Sequence, residues 1–269
     1  MVSLYIRTFR GDICWLEYCL QSIHRNLRGW DEIIVCIPEG QEHHLAHLSI
    51  ERKVICPAWK DDYIGQQASK LQAHRHAKGD LILFVDSDLV FLPGADVKDL
   101  LVGGKPVIGK ERYASPKDPA VRKWRPVVTK LFGQEPEWEY MGLNASSRLF
   151  HRSTLEAFER RFPDIEAYAR RQPRHKFSEY NFLGFFAEQT EPDRYAFVDV
   201  HAETPPAMKA RQFWSWGGIT PEIRAELATL GLHGTWPDTL TFGERLRKDL
   251  DYAVRRFKLW LRSRRAGKQ

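Results

Sequence analysis

Two carboxylates one residue apart, Asp86 and Asp88, close the run Leu81-Ile82-Leu83-Phe84-Val85-Asp86-Ser87-Asp88. The five apolar residues read as a short buried strand stopped by polar ones. At the carboxyl edge of such a strand, acids face the crevice where open α/β sheets bind ligands. Clustered carboxylates repel each other unless a positive charge sits between them. A hard divalent cation, Mg2+ or Mn2+, answers that need, because it takes oxygen ligands and keeps positions open for phosphate oxygens. The plainer reading is a strand end capped by acids with no ligand.

The elements that must position these acids are legible as alternation. Strands are expected at Val2–Thr8, Glu32–Ile37, Lys53–Cys56 and Leu81–Val85, and helices over Ile13–Leu27 and Gly65–Ala77, with Asp12 placed to cap the first. Strands alternating with helices predict βαβ units and a mostly parallel sheet. After Asp88 the pattern changes. A strand is expected at Lys105–Gly109 and a strand–turn–strand over 140–150. Helices are expected over 153–171 and Phe177–Glu188, and a late strand over Tyr195–Val200 ending at His201. Residues 111–139, rich in Pro, Lys, Arg and Trp, show no period and read as a functional loop or lid.

With 269 residues, 43% hydrophobic and 28% charged, the chain has the composition of a large α/β domain or a domain with an appendage. No apolar stretch reaches the ~18 residues that span a bilayer. The first residues enter a strand directly and lack the pattern of a signal peptide. Cys14, Cys19, Cys36 and Cys56 form no C-x-x-C pair and read as reduced thiols of a cytoplasmic protein. The histidines His43-His44-x-x-His47 and His74-x-His76 have usable metal spacing but no accompanying acid motif.

The apolar strand ending in Asp86-Ser87-Asp88, the turn Lys78-Gly79-Asp80 before it, the run Gln66-Gln67-Ala68-Ser69-Lys70-Leu71 and the later Ser178-Glu179-Tyr180-Asn181 resemble the GT-A glycosyltransferases. The likeness covers residues 1–201 and is greatest to a bacterial and viral group within that superfamily. It implies a GT-A, Rossmann-like, mostly parallel sheet flanked by helices. Residues 1–91 would be the nucleotide-binding half and 92–240 the donor-sugar and acceptor half, with 241–269 a basic amphipathic helix. It also implies a nucleoside-diphosphate sugar donor, UDP-sugar by default, and Mn2+ or Mg2+ held by Asp86 and Asp88 to neutralise the leaving diphosphate. His201 matches a third ligand by position, and equally a satisfied structural histidine. Donor contacts map onto Thr8, Arg10, Gln67, Lys70, Asp86, Ser87 and Asn144. Thr8 offers hydrogen bonds, Arg10 a base stack or phosphate contact, and Lys70 a phosphate contact. Glu179 matches the acid on the acceptor side, as a base or as the carboxylate near the anomeric carbon. It reads equally as a helix N-terminal acid favoured by the dipole.

Charge is uneven. Residues 245–269 hold ten Lys or Arg against two Asp, so they carry +8 of the net +6 and the rest of the chain carries −2. Phe242–Leu261 reads as a helix with Leu246, Leu250, Val254, Phe257 and Leu261 in one stripe. Such a tail packs on its own domain, lies on an anionic membrane, or contacts nucleic acid. The acceptor is accordingly a glycan, a lipid-linked group or a hydroxymethylated base in DNA. A GT-A-like binding protein without catalysis is the alternative of another class.

Overall fold

The structure, a computed structural model, describes residues 1–113, 123–140, 148–215, 218–235 and, singly, 243, 246, 250 and 254. In chain order these form β1 (Val2–Arg7), α1 (Ile13–Asn26), β2 (Leu27–Arg28), β3 (Glu32–Pro38), β4 (Arg52–Cys56), α2 (Asp62–Leu71), β5 (Leu81–Asp86), β6 (Leu89–Phe91), β7 (Ala95–Asp96), β8 (Leu101–Val102) and β9 (Lys105–Arg112). Then follow α3 (Arg125–Phe132), β10 (Trp138–Tyr140), β11 (Leu149–His151), α4 (Arg152–Arg161), α5 (Ile165–Arg170), α6 (Glu179–Thr190), β12 (Ala196–Asp199), β13 (Ala210–Gln212) and α7 (Pro221–Thr229).

The chain is an α/β protein whose main sheet has the order β11-β5-β1-β3-β4. Its first four strands in sequence run parallel, and β11 joins β5 antiparallel. Alternate residues of β1, β3 and β5 enter opposite cores. Tyr5, Ile34, Cys36, Ile82 and Phe84 face one apolar cluster, with residues of α2, α4 and α6. Leu4, Ile6, Ile33, Val35, Leu83 and Val85 face the other, with residues of α1. Burial on both faces is why these strands read as continuous apolar runs rather than as alternation. A second sheet, β10-β9-β12, carries β8 on β9, while β6 pairs with β13 and β2 with β7.

Several expectations shift. The second helix starts at Asp62, not Gly65, because the Asp61 side chain accepts from the Tyr63 N–H and caps it. It ends at Leu71, and a 3₁₀ turn follows over Ala73–Arg75. The single helix expected over 153–171 is two, α4 and α5, broken at Phe162 by Pro163, which disfavours helical backbone before it. The expected lid contains α3, opened by Pro126 and stopped by Gly133 at φ 72°. The strand–turn–strand over 140–150 is no hairpin: β10 pairs with β9 and β11 with β5, in different sheets. The four cysteines are free, with Cys19, Cys36 and Cys56 buried and Cys14 half-buried.

The helix α6 crosses β10 without a side chain between them. A Cβ on Gly184 would lie 2.4 Å from both Cβ and Cγ of buried Tyr140, whose N–H donates to Asn181 Oδ1 at 3.0 Å. Because Cβ is fixed to the backbone, rotating the ring gives no relief. Gly184→Ala is expected to lower unfolding free energy by about 1–3 kcal/mol, measured by urea titration, despite alanine's better helix propensity. Unchanged stability would show that the two elements separate freely.

Candidate functional site

Parallel pairing of β1 with β5 sets Arg7 beside Asp86, so both strands end at one edge of the sheet. Asp86 is the last residue of β5, and Asp88 lies two residues on, in the turn before β6. The segment after β13 wraps Asp88. The Phe213 N–H donates to the Asp88 carbonyl at 2.9 Å, the Ser215 N–H donates to Oδ2 at 2.6 Å, and the Gln212 side-chain amide donates to Oδ1. Trp214 makes that turn with φ 38°, a left-handed conformation uncommon for a bulky residue, and leaves its side chain 53% exposed.

Asp86 is held by two buried cations. Lys70, on the inward face of α2, donates from Nζ to Asp86 Oδ1 at 2.8 Å and to Glu179 Oε1 at 3.0 Å. Its ammonium also lies 5.2 Å from the centre of the Tyr180 ring. The Arg148 carbonyl accepts from the Phe84 N–H, which anchors Arg148 against β5. From there Arg148 Nη1 reaches Asp86 Oδ2 at 2.8 Å and Nη2 reaches Gln212 Oε1 at 3.3 Å. Burial alone would raise the Asp86 pKa, but the Lys70 and Arg148 charges overcome it and hold the carboxyl well below the usual range. Asp88 is shifted the other way: burial raises its pKa, and repulsion from Asp86 raises it further. Burial also pushes the Tyr180 phenol up to about 12.

Of the residues singled out in the sequence, Asp86, Asp88, Lys70 and Glu179 converge here. Ser87 is buried beside them and donates to Asp12 Oδ2 at 3.4 Å, so Asp12 occupies the cap position of α1 without a capping bond. Thr8 follows β1, is buried, and its hydroxyl has no hydrogen-bond partner among the described residues. Gln67 turns its amide to the Tyr63 carbonyl of its own helix at 3.0 Å. Arg10 lies in the turn after β1, its N–H donating to Gln41 Oε1 at 2.7 Å. Glu179 is buried against Lys70 rather than open to solvent. His201 does not join the acids. It follows β12 in the second sheet, is exposed, and its ring meets Glu111 Oε1 at 2.7 Å. His74 likewise pairs with Glu159 at 2.9 Å. Asn144 lies outside the described residues.

Arg148 and Gln212 escaped sequence reasoning. Their partners are 62 to 124 residues away, and neither sits in a motif. The only local signal was a basic residue directly before the apolar Leu149-Phe150.

The donor set suits a cation. Lys70 and Arg148 face three carboxylates, those of Asp86, Glu179 and Asp88, which leaves one negative charge when all are ionised. Asp88 forms no ion pair among the described residues; burial, and then repulsion from Asp86, raises its pKa. Each carboxylate oxygen carries two lone pairs, so those already accepting one bond keep a second acceptor site. No group of three His, Cys, Asp or Glu that could hold a metal occurs among the described residues. A metal here would therefore have two protein carboxylates and draw its other ligands from phosphate and water, as Mg2+ commonly does.

No protein-family model matches the chain, and a search of curated proteins finds no match.

The pairing has a pH signature. A carboxylate with a depressed folded pKa stabilises the fold above the unfolded carboxylate range, about pH 4, and loses that contribution as pH falls toward the folded pKa. Arg148→Met removes one of the two buried charges beside Asp86. It is expected to cost about 3–5 kcal/mol at neutral pH and to flatten the acid limb of stability against pH, read by urea unfolding between neutrality and pH 3. Wild-type stability and an unchanged acid limb would mean that the pair is not formed.

Proposed function

We propose that this chain is a GT-A-type glycosyltransferase that moves a sugar from a nucleoside-diphosphate donor to a hydroxyl acceptor with Mn2+ or Mg2+ bound. The observation that carries the reading is the pair Asp86 and Asp88 at the carboxyl edge of β5, the first held by the buried cations Lys70 and Arg148 and the second by neutral donors. The resemblance of the sequence around it supports the same reading.

When bound, the metal would neutralise charge that builds on the departing diphosphate. Asp88 and Asp86 are the residues that would hold it. Lys70 and Arg148 keep Asp86 ionised and oriented, while Gln212 and the Ser215 N–H fix Asp88. Such partners of ligating carboxylates aim them and tune them. Glu179 shares the Lys70 ammonium with Asp86 and holds it against the acids. The Thr8 hydroxyl, just past β1 and without a hydrogen-bond partner among the described residues, is the group that would meet the nucleoside. In the transfer the acceptor oxygen bonds to the anomeric carbon and its proton passes to water. The bond from that carbon to the diphosphate breaks, and the diphosphate leaves with the electron pair.

The exposed indole of Trp214 stands one residue from the Ser215 N–H that binds Asp88. Backbone held in a sparsely populated conformation clusters at functional sites. An aromatic face there offers a stacking platform for a sugar ring or base.

The test is hydrolysis of UDP-, GDP- and dTDP-sugars with Mn2+ present. The wild-type chain should release sugar from at least one donor. Asp88→Asn should reduce the rate more than about 100-fold, and Gln212→Ala, which disturbs only a ligand's partner, about 10–100-fold. A wild-type rate in Asp88→Asn, or no turnover of any donor, would overturn the reading. Trp214→Ala is expected to raise KM for donor or acceptor more than it lowers kcat, in the same steady-state assay. An effect on kcat alone would remove the indole from binding.

A further inference from the structure

We infer that a basic and aromatic rim beside the acids binds single-stranded nucleic acid. Two segments build it, residues 59–63 after β4 and residues 170–176 before α6. Because β4 runs parallel to β3, it leaves the main sheet at the same edge as β5. The second segment ends three residues before Glu179. Cations of this second segment lie over rings of the first. The Arg170 guanidinium is 4.0 Å from the centre of the Trp59 ring, and that of Arg174 is 5.8 Å from the centre of the Tyr63 ring. The His175 ring meets Tyr63 edge-on at 4.5 Å. Trp59 and Tyr63 are half-buried, so they hold these groups in place instead of leaving them to trail in water.

Charge selects an anionic partner. The two segments hold five Lys or Arg against two Asp, a net +3, within a stretch of 244 residues whose total is −2. The acids do not cancel this charge. Asp62 pairs with Arg7, while Asp61 caps α2 and meets Arg174 only at 4.0 Å. Arg170 shares Glu166 at 2.7 Å. Lys60 and Arg171 are exposed and form no ion pair among the described residues. The rings select the form of the partner. Phosphates suit Lys60, Arg171 and Arg174. Guanidinium planes laid on aromatic rings, with the Arg170 and Arg174 side chains 44% and 63% exposed, are stacking surfaces for unpaired bases. A duplex keeps its bases stacked on one another and would use only the charges. The basic tail over 245–269 is separate, and apart from Leu246, Leu250 and Val254 it lies outside the described residues.

The inference stands on the rim alone and is independent of the donor reading. Its test uses the full chain and a fluorescein-labelled oligo-dT of about twelve nucleotides, within the span of one such site. Anisotropy is read between about 50 and about 200 mM salt, where phosphate contacts are most sensitive. Wild type should bind, and salt should weaken it. The triple variant Lys60→Ala/Arg171→Ala/Arg174→Ala changes exposed sites, and its fold is checked by circular dichroism. It should bind at least about tenfold more weakly at the lower salt. Its slope of log affinity on log salt should be shallower by about 2, since each lost phosphate contact removes about 0.7. Arg170→Lys/Arg174→Lys keeps the charges and loses the stacking planes. It should hold the wild-type slope yet bind at least about fivefold more weakly. Four results would overturn the inference. They are wild type that does not bind, and a triple variant that binds as tightly as wild type. The others are a duplex as sensitive to the triple substitution as the single strand, and dTMP bound as tightly as the oligonucleotide.

Discussion

An ionised carboxylate at the edge of a sheet buried on both faces loses much of its water, and the rest of this structure is arranged around that cost. Asp86, half-buried, is kept charged because the buried Lys70 and Arg148 each reach it at 2.8 Å. Those cations come from separate elements, the second helix and the approach to the antiparallel edge strand. Lys70 must also be matched by Glu179 at the start of a third element. One carboxylate thus decides where two helices and a strand may sit. Removing any one charge leaves an uncompensated ion in a site of low polarity, which is far more costly than never having built the pair.

The same cluster explains why its two acids differ. Lys70 and Arg148 satisfy Asp86, whereas Asp88 is bound mainly by neutral donors, an amide side chain and a backbone N–H. Neutral donors fix orientation without cancelling charge. The outcome is one carboxylate held between two cations and one held by neutral donors, two residues apart in sequence.

Much of this was legible in the sequence, and the parts that were not share a cause. The strands at residues 2–7, 32–38 and 81–86 and the helix at 13–26 follow from local pattern, because burial on one or both faces writes itself into neighbouring residues. Lys70 and Glu179 stood out with Asp86 and Asp88 because their surroundings resemble a known arrangement. Pairing between distant segments leaves no such trace. Arg148 and Gln212 look like ordinary polar residues until the chain returns to the sheet edge. Tyr140 and Leu149 look like the two arms of a hairpin until β10 and β11 join different sheets. His201 sat at the right place in the order of elements, but β12 pairs with β9, and that pairing carries the imidazole to Glu111.

The latch on Asp88 has a consequence for biogenesis. All five strands of the main sheet lie within the first 151 residues, whereas the groups that grip Asp88 lie 124 and 127 residues downstream of it. A chain emerging from the ribosome can pair its sheet and bury Asp86 with Lys70 and Arg148 well before Gln212 and Ser215 exist. Until they arrive, Asp88 is a loose acid beside a finished scaffold. Domains fold as units during synthesis, with non-local contacts last. The surroundings of Asp88 are therefore completed by nearly the last described segment to be made, so a nascent or prematurely stopped chain would carry the main sheet without the groups that fix this acid.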